Sequence, residues 1–190
     1  MTGFITFSET NGDGTKTVSI TAAENMARSS RQRTYRIQHA SNGAHATLNV
    51  IQRECDAVVD ILGVTNDADG FTSSELLEEL PTENATLYLV GRSNSIGLVM
   101  DINSIYNGQV NPINQRLTLR VKPQDGPVAT LPLGTDEWTY DYGRIGMYEF
   151  CITFSYTAAT TDKLLFIMSG VHGEDVDSFE IKKHRNEIIS

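Results

Sequence analysis

An all-β fold of β-sandwich units, joined by one short linker helix, is predicted by three features of the sequence. Apolar and polar residues alternate with period two along many short runs, as in Thr17-Val18-Ser19-Ile20-Thr21, Thr34-Tyr35-Arg36-Ile37-Gln38 and Ala46-Thr47-Leu48-Asn49-Val50. Turn-forming residues separate the runs, among them Asn11-Gly12-Asp13-Gly14, Ser29-Ser30 and Ser41-Asn42-Gly43. Helical spacing is confined to one stretch, Leu76, Leu77 and Leu80, before Pro81.

The elements follow in order. Strands are predicted at 4–7, 15–22, 31–38 and 44–52, the half-buried antiparallel kind with one apolar face. Residues 57–62 form a mainly apolar run suited to a buried strand, and Thr65-Asn66-Asp67-Ala68-Asp69-Gly70 reads as a turn. Thr72-Ser73-Ser74-Glu75 has capping-box spacing, so a short amphipathic helix is expected behind it. Further strands are predicted at 85–90, 97–102, 115–121, 128–131, 147–156, 164–168 and 179–182. Tyr148, Phe150, Ile152, Phe154 and Tyr156 share one face of the most strongly patterned of these. Short strands at this spacing predict a second sandwich or jelly-roll-like unit. The expected organisation is a first β unit at 1–54, a linker strand and helix at 55–83, and a second sandwich at 84–190.

Composition narrows the function. The 190 residues carry a formal net charge of −9, with 21% charged and 39% hydrophobic residues. An acidic surface repels phosphate backbones and anionic lipid, so neither nucleic acid nor a membrane is the expected partner. Arg28, Arg31, Arg33 and Arg36 read as a solvated strand face. Met1-Thr2-Gly3-Phe4 lacks a basic region followed by an apolar run, so synthesis in the cytoplasm is expected, and Cys55 and Cys151 are expected as free thiols.

No constellation reads as a catalytic centre, and no enzyme activity, metal or cofactor is expected. Placing Gly70 at the sixth position of a calcium loop puts Thr65 and Leu76 where carboxylates are required. A looser site on Asp67, Asp69 and Glu75 is outweighed by a plain turn. His172-Gly173-Glu174-Asp175-Val176-Asp177 reads as a solvated loop, since His39, His45 and His184 lie on unrelated segments. The stretch 91–97 is expected to be a hairpin turn and not a phosphate cradle. The most site-like segment is Asp136-Glu137-Trp138-Thr139-Tyr140-Asp141-Tyr142-Gly143-Arg144, whose aromatics suit a protein partner, a sugar ring, or a plug at one end of the sandwich.

Phe4-Ile5-Thr6-Phe7-Ser8, the run from Gly12 to Asn25, Ser29-Ser30-Arg31 and Ala46-Thr47-Leu48-Asn49-Val50-Ile51-Gln52 together resemble the latter half of a BACON domain. That family is an immunoglobulin-like β-sandwich associated with Bacteroidetes and their phages. The resemblance covers residues 4–52 and implies strands before Phe4, so the first unit is expected to be completed by later strands or by a neighbouring subunit. Together with the all-β pattern it implies a virion structural protein of a tailed bacteriophage, made in the host cytoplasm, most simply an auxiliary capsid protein. The expected partners are the major capsid protein, a head-fibre or tail component, or further copies of the chain. Phe4, Phe7, Trp138, Tyr140 and Tyr142 are the candidate partner-binding residues. A carbohydrate-binding module and a head-fibre or tail adaptor are the alternatives.

Overall fold

The computed structural model describes residues 4–8, 12, 17–39, 42–71, 73–135, 138, 140–144 and 146–183. The chain is all-β. Four strands, β1 (Ile5–Phe7), β2 (Ile20–Ala22), β3 (Arg31–Gln38) and β4 (His45–Gln52), make an N-terminal unit of two two-stranded antiparallel sheets, β1-β2 and β3-β4. Nine strands follow: β5 (Val59–Thr65), β6 (Ala85–Ser93), β7 (Leu98–Tyr106), β8 (Gln109–Pro112), β9 (Thr118–Pro123), β10 (Ala129–Leu131), β11 (Tyr148–Tyr156), β12 (Lys163–Gly170) and β13 (Val176–Lys182). They form a sandwich of a five-stranded sheet, ordered β10-β9-β11-β6-β5, and a four-stranded sheet, ordered β13-β12-β7-β8.

Alternation builds the core between these sheets. Tyr148, Phe150, Ile152, Phe154 and Tyr156 all point inward from β11, each at most 2% exposed, and meet Leu164, Phe166 and Met168 of β12. The Phe154 and Phe166 rings touch edge to face at 5.2 Å across the two layers. A smaller apolar cluster lies on the outer side of the five-stranded sheet, where the loop after β5 folds Phe71 over Val90 and Cys151. Arg120 and Lys122 both stand 5.4 Å from the Phe71 ring. Arg120 also donates to Cys151 Sγ at 3.1 Å and to the Ala68 carbonyl. Asp67 holds this loop in shape by accepting from Asp69 N and Ser74 Oγ, so the acidic turn clamps Phe71 in place.

Both cysteines are free thiols. Burial pushes the Cys151 thiol up, against the opposing hydrogen bond from Arg120. Half-buried Cys55 is therefore expected to react first with a thiol reagent such as DTNB, releasing one fast equivalent, with the second released only in denaturant. Two equally fast equivalents would mean that the Phe71 loop opens freely.

Three expectations are corrected. The linker helix is absent: residues 73–83 run as turns and bends, and Thr72 of the capping box lies outside the described residues. Leu77 N donates to Val64 O and Leu80 N to Lys182 O, while Leu80 is buried at 2%. A helix this short has little stability of its own, so burial against the sandwich decides the conformation. The strand expected at 57–62 within the 55–83 linker is instead β5, Val59–Thr65, an edge strand of the five-stranded sheet paired to β6. The stretch 91–97 is not a hairpin: β6 and β7 belong to different sheets, and the chain crosses between layers there.

The acidic segment 174–177 also has a structural task. Asp175, in the turn before β13, accepts from Val59 N at 2.6 Å, and Asp177 on β13 accepts from Ile61 N at 2.7 Å, so two carboxylates cap the free edge of β5 at these positions. Charge-assisted bonds of this kind are each worth roughly 1.5–3 kcal/mol, and they occupy two edge N–H groups that could otherwise recruit a stray strand.

Candidate interaction surface

The N-terminal unit is a thin sandwich of its own. β3 and β4 pair from Arg31↔Gln52 to Gln38↔His45, which puts Arg31, Arg33, Tyr35 and Ile37 on one face with Gln52, Val50, Leu48 and Ala46. That face meets β1-β2: the Phe7 and Tyr35 rings pack edge to face at 4.7 Å, and the Arg31 guanidinium lies 4.6 Å over Phe4. Arg31 also donates to the carbonyls of Ala23 and Glu24 and to Gln52 Oε1, tying the two layers together at their inner end. Asn25, 7% exposed, closes the connection by donating to Ser29 O and Arg53 O.

Four strands do not cover this unit's apolar side chains. Ile20 is 47% exposed, Ile37 60%, Ile51 68% and Val18 42%. Among the described residues, no third strand joins either two-stranded sheet. Isolated ribbons with wet apolar faces are marginal in water, so this surface suits a partner that supplies cover or a strand.

The unit is docked on one end of the large sandwich. Arg28 pairs with Asp141 at 3.3 Å, Arg28 N donates to Gly143 O, and Ser29 Oγ donates to Arg144 O at 2.6 Å. Asn94, completely buried where β6 crosses to β7, is the pin of this joint. Its Nδ2 donates to Met26 O and Asp56 O, its Oδ1 accepts from Val58 N at 2.7 Å, and its own N–H donates to Val58 O. Gly143 faces the Asn94 backbone so closely that a Cβ there would collide with the Asn94 carbonyl. Beneath the joint lie Trp138, Tyr142 and Tyr148, with Trp138 6.1 Å from Tyr142 and 5.9 Å from Tyr148. Burial drives the Tyr148 phenol well above the ordinary tyrosine range, and the phenol donates to Ser95 O.

The five candidate residues therefore fall into three situations. Trp138 is 7% exposed, donates Nε1–H to Pro132 O and belongs to the core, which is the plug arrangement. Phe4 and Phe7 are half-buried and turned into the N-terminal unit, while Tyr142 is half-buried at the joint. Tyr140 is 50% exposed and stacks edge-on against Tyr142 at 5.1 Å. Asp136, Glu137 and Thr139 of the same segment lie outside the described residues. Within the N-terminal unit, the residues that offer most apolar surface are Ile20, Ile37 and Ile51. For Ile20 and Ile37 the signal was in the alternation itself, whereas Ile51, opposite Gln32, breaks it and lies on the other face from Leu48 and Val50.

Charge divides with the units. Residues 1–54 hold six Lys and Arg against four Asp and Glu, and residues 55–190 hold nine against twenty, a formal +2 against −11. From Asn25 to Arg53 there is no carboxylate side chain at all, but there are five arginines and two histidines. In comparisons with known proteins, no family model, curated protein or solved structure matches the chain.

Proposed function

We propose that the chain is a structural protein acting through protein–protein contacts of its N-terminal unit, and that its setting is the virion of a tailed bacteriophage, as an auxiliary capsid protein. One observation carries the contact: Ile20, Ile37 and Ile51 stand open to solvent around two ribbons that lack flanking strands among the described residues. The rigid joint at Asn94 supports it, because a docking unit fixed to a large sandwich loses little freedom on binding. The BACON resemblance of residues 4–52 supplies the setting.

The test is mass spectrometry of purified particles together with co-sedimentation of the recombinant chain on particles stripped of auxiliary proteins. The expected result is many copies per particle and a bound chain that Ile37→Glu releases. Absence from particles, or binding that Ile37→Glu leaves intact, would sink the proposal. Tyr140, half exposed against Tyr142, favours a glycan as the second reading; saturable glycan binding lost in Tyr140→Ala would select it.

A further inference from the structure

We infer that the outer face of the β3-β4 ribbon enters the major groove of duplex DNA, a contact that goes beyond the proposed function and does not rest on it. The register that turns Tyr35 and Leu48 toward β1-β2 leaves Thr34, Arg36 and Gln38 of β3 on the opposite side, with Asn49, Thr47 and His45 of β4. All six are exposed. Gln32 and Ile51, paired near the inner end, complete this face and are exposed as well, Ile51 being its single aliphatic side chain. Among the described residues no third strand widens the ribbon. Its two strands stand about 4.8 Å apart, so the ribbon with its side chains fits a groove about 12 Å wide. The major groove of DNA has that width, whereas that of RNA is deep and too narrow. The face carries no Phe, Tyr or Trp, so it has no stacking platform for unpaired bases or sugar rings.

Side-chain chemistry and charge match that groove. Arg36 suits the O6 and N7 acceptors of guanine, Gln38 and Asn49 suit N6 and N7 of adenine, and Thr34 and Thr47 suit the thymine methyl. Four of the six are tied in pairs across the strands, which limits the freedom lost on binding. Thr34 Oγ1 donates to Asn49 Oδ1 at 2.8 Å, and Arg36 Nη2 lies 3.3 Å from His45 Nδ1. No acid stands on this face or anywhere from Asn25 to Arg53, and Arg33 and Arg53 are exposed for phosphate oxygens. The net −9 would oppose a nucleic acid if it were spread evenly, but twenty of the 24 carboxylates belong to residues 55–190. Arg36 lies five positions along β3 from Arg31. That is about 17 Å from the inner end of the ribbon, roughly two Debye lengths at physiological salt.

Fluorescence anisotropy decides the matter, with the full chain titrated onto labelled duplex DNA of mixed sequence and, separately, onto single-stranded DNA, duplex RNA and heparin. Duplex DNA is expected to bind best. Three exposed arginines, Arg33, Arg36 and Arg53, predict a log–log salt slope of about −2.7, a loss of about 40-fold between roughly 50 and 200 mM salt. Arg36→Ala combined with Asn49→Ala is expected to weaken binding by about tenfold or more. Lys182→Gln, which removes one exposed cation from the large sandwich, is expected to leave it unchanged. All three positions are exposed, so the variants keep the fold, which the emission of the sole tryptophan, Trp138, verifies. No binding to duplex DNA at the lower salt, or a double variant that binds as well as Lys182→Gln, overturns the inference. Tighter binding of single-stranded DNA or duplex RNA overturns the groove geometry, and binding of heparin alone overturns it in favour of an acidic polysaccharide.

Discussion

Asn94→Ala is expected to destabilise the protein by about 3 kcal/mol and to loosen the N-terminal unit from the sandwich. The amide is completely buried and all its polar atoms are engaged: two carbonyls on one side, the Val58 N–H on the other. Alanine fills little of the space and leaves three backbone groups without that partner. Asn94→Asp is expected to be worse. It retains the acceptor for Val58 but replaces a donor by a carboxylate facing the Met26 and Asp56 carbonyls. The measurement is urea unfolding followed by Trp138 emission, paired with limited proteolysis around residues 53–58. A midpoint unchanged from wild type would show that the joint rests on Arg28, Asp141 and Ser29 instead.

The fate of the 91–97 stretch explains what was legible in the sequence and what was not. Periodicity is local, and it located most strands: β3 spans the predicted 31–38, and the five aromatic and aliphatic residues of β11 share the inner face as their spacing requires. Which sheet a strand joins depends on distant partners. The glycine-bounded turn between β6 and β7 looks the same whether the chain doubles back or crosses to the other layer. The short β8 was missed because Gln109-Val110-Asn111-Pro112 carries one apolar side chain. Its turn did leave a signal: Asn107 and Gly108 both have positive φ, 50° and 78°, the Asn-Gly hairpin chemistry that joins β7 to β8.

The candidate surface was half legible for a related reason. The aromatic run around Trp138 announces a cluster, but whether the ring faces solvent depends on Tyr148 of a distant strand and on Pro132, which accepts its Nε1–H. Burial is a property of the assembled sandwich, and the indole that looked available for a partner is held in the core. For the isoleucines the argument runs the other way. Alternation marks Ile20 and Ile37 as inward-facing, and inward they point, beyond the reach of the two narrow sheets. The charge split sharpens the contrast, because an overall −9 conceals a hairpin with no acid in it.

Gly91→Ala is expected to cost about 3 kcal/mol, a large loss for the smallest side chain that can be added. Gly91 lies on the core side of β6, with Ile61 of β5 on one flank and Phe150 of β11 on the other. The Phe150 ring covers the position where a Cβ would stand, so the added methyl meets that ring and the Asp60 carbonyl at once. An aromatic laid across a glycine on a neighbouring strand uses the missing side chain as packing space. Phe150 is wholly buried and has no free volume to retreat into, and the Asp60 carbonyl belongs to the strand capped by Asp175 and Asp177. Shifting either would disturb the sealed edge as well as the core. The strain has a specific remedy: Phe150→Leu in the Gly91→Ala background removes the ring that collides. Thermal unfolding of the two single variants and the double variant is therefore expected to show the double variant more stable than the sum of the single losses predicts. Strict additivity would mean that the carbonyl, not the ring, sets the limit at this position.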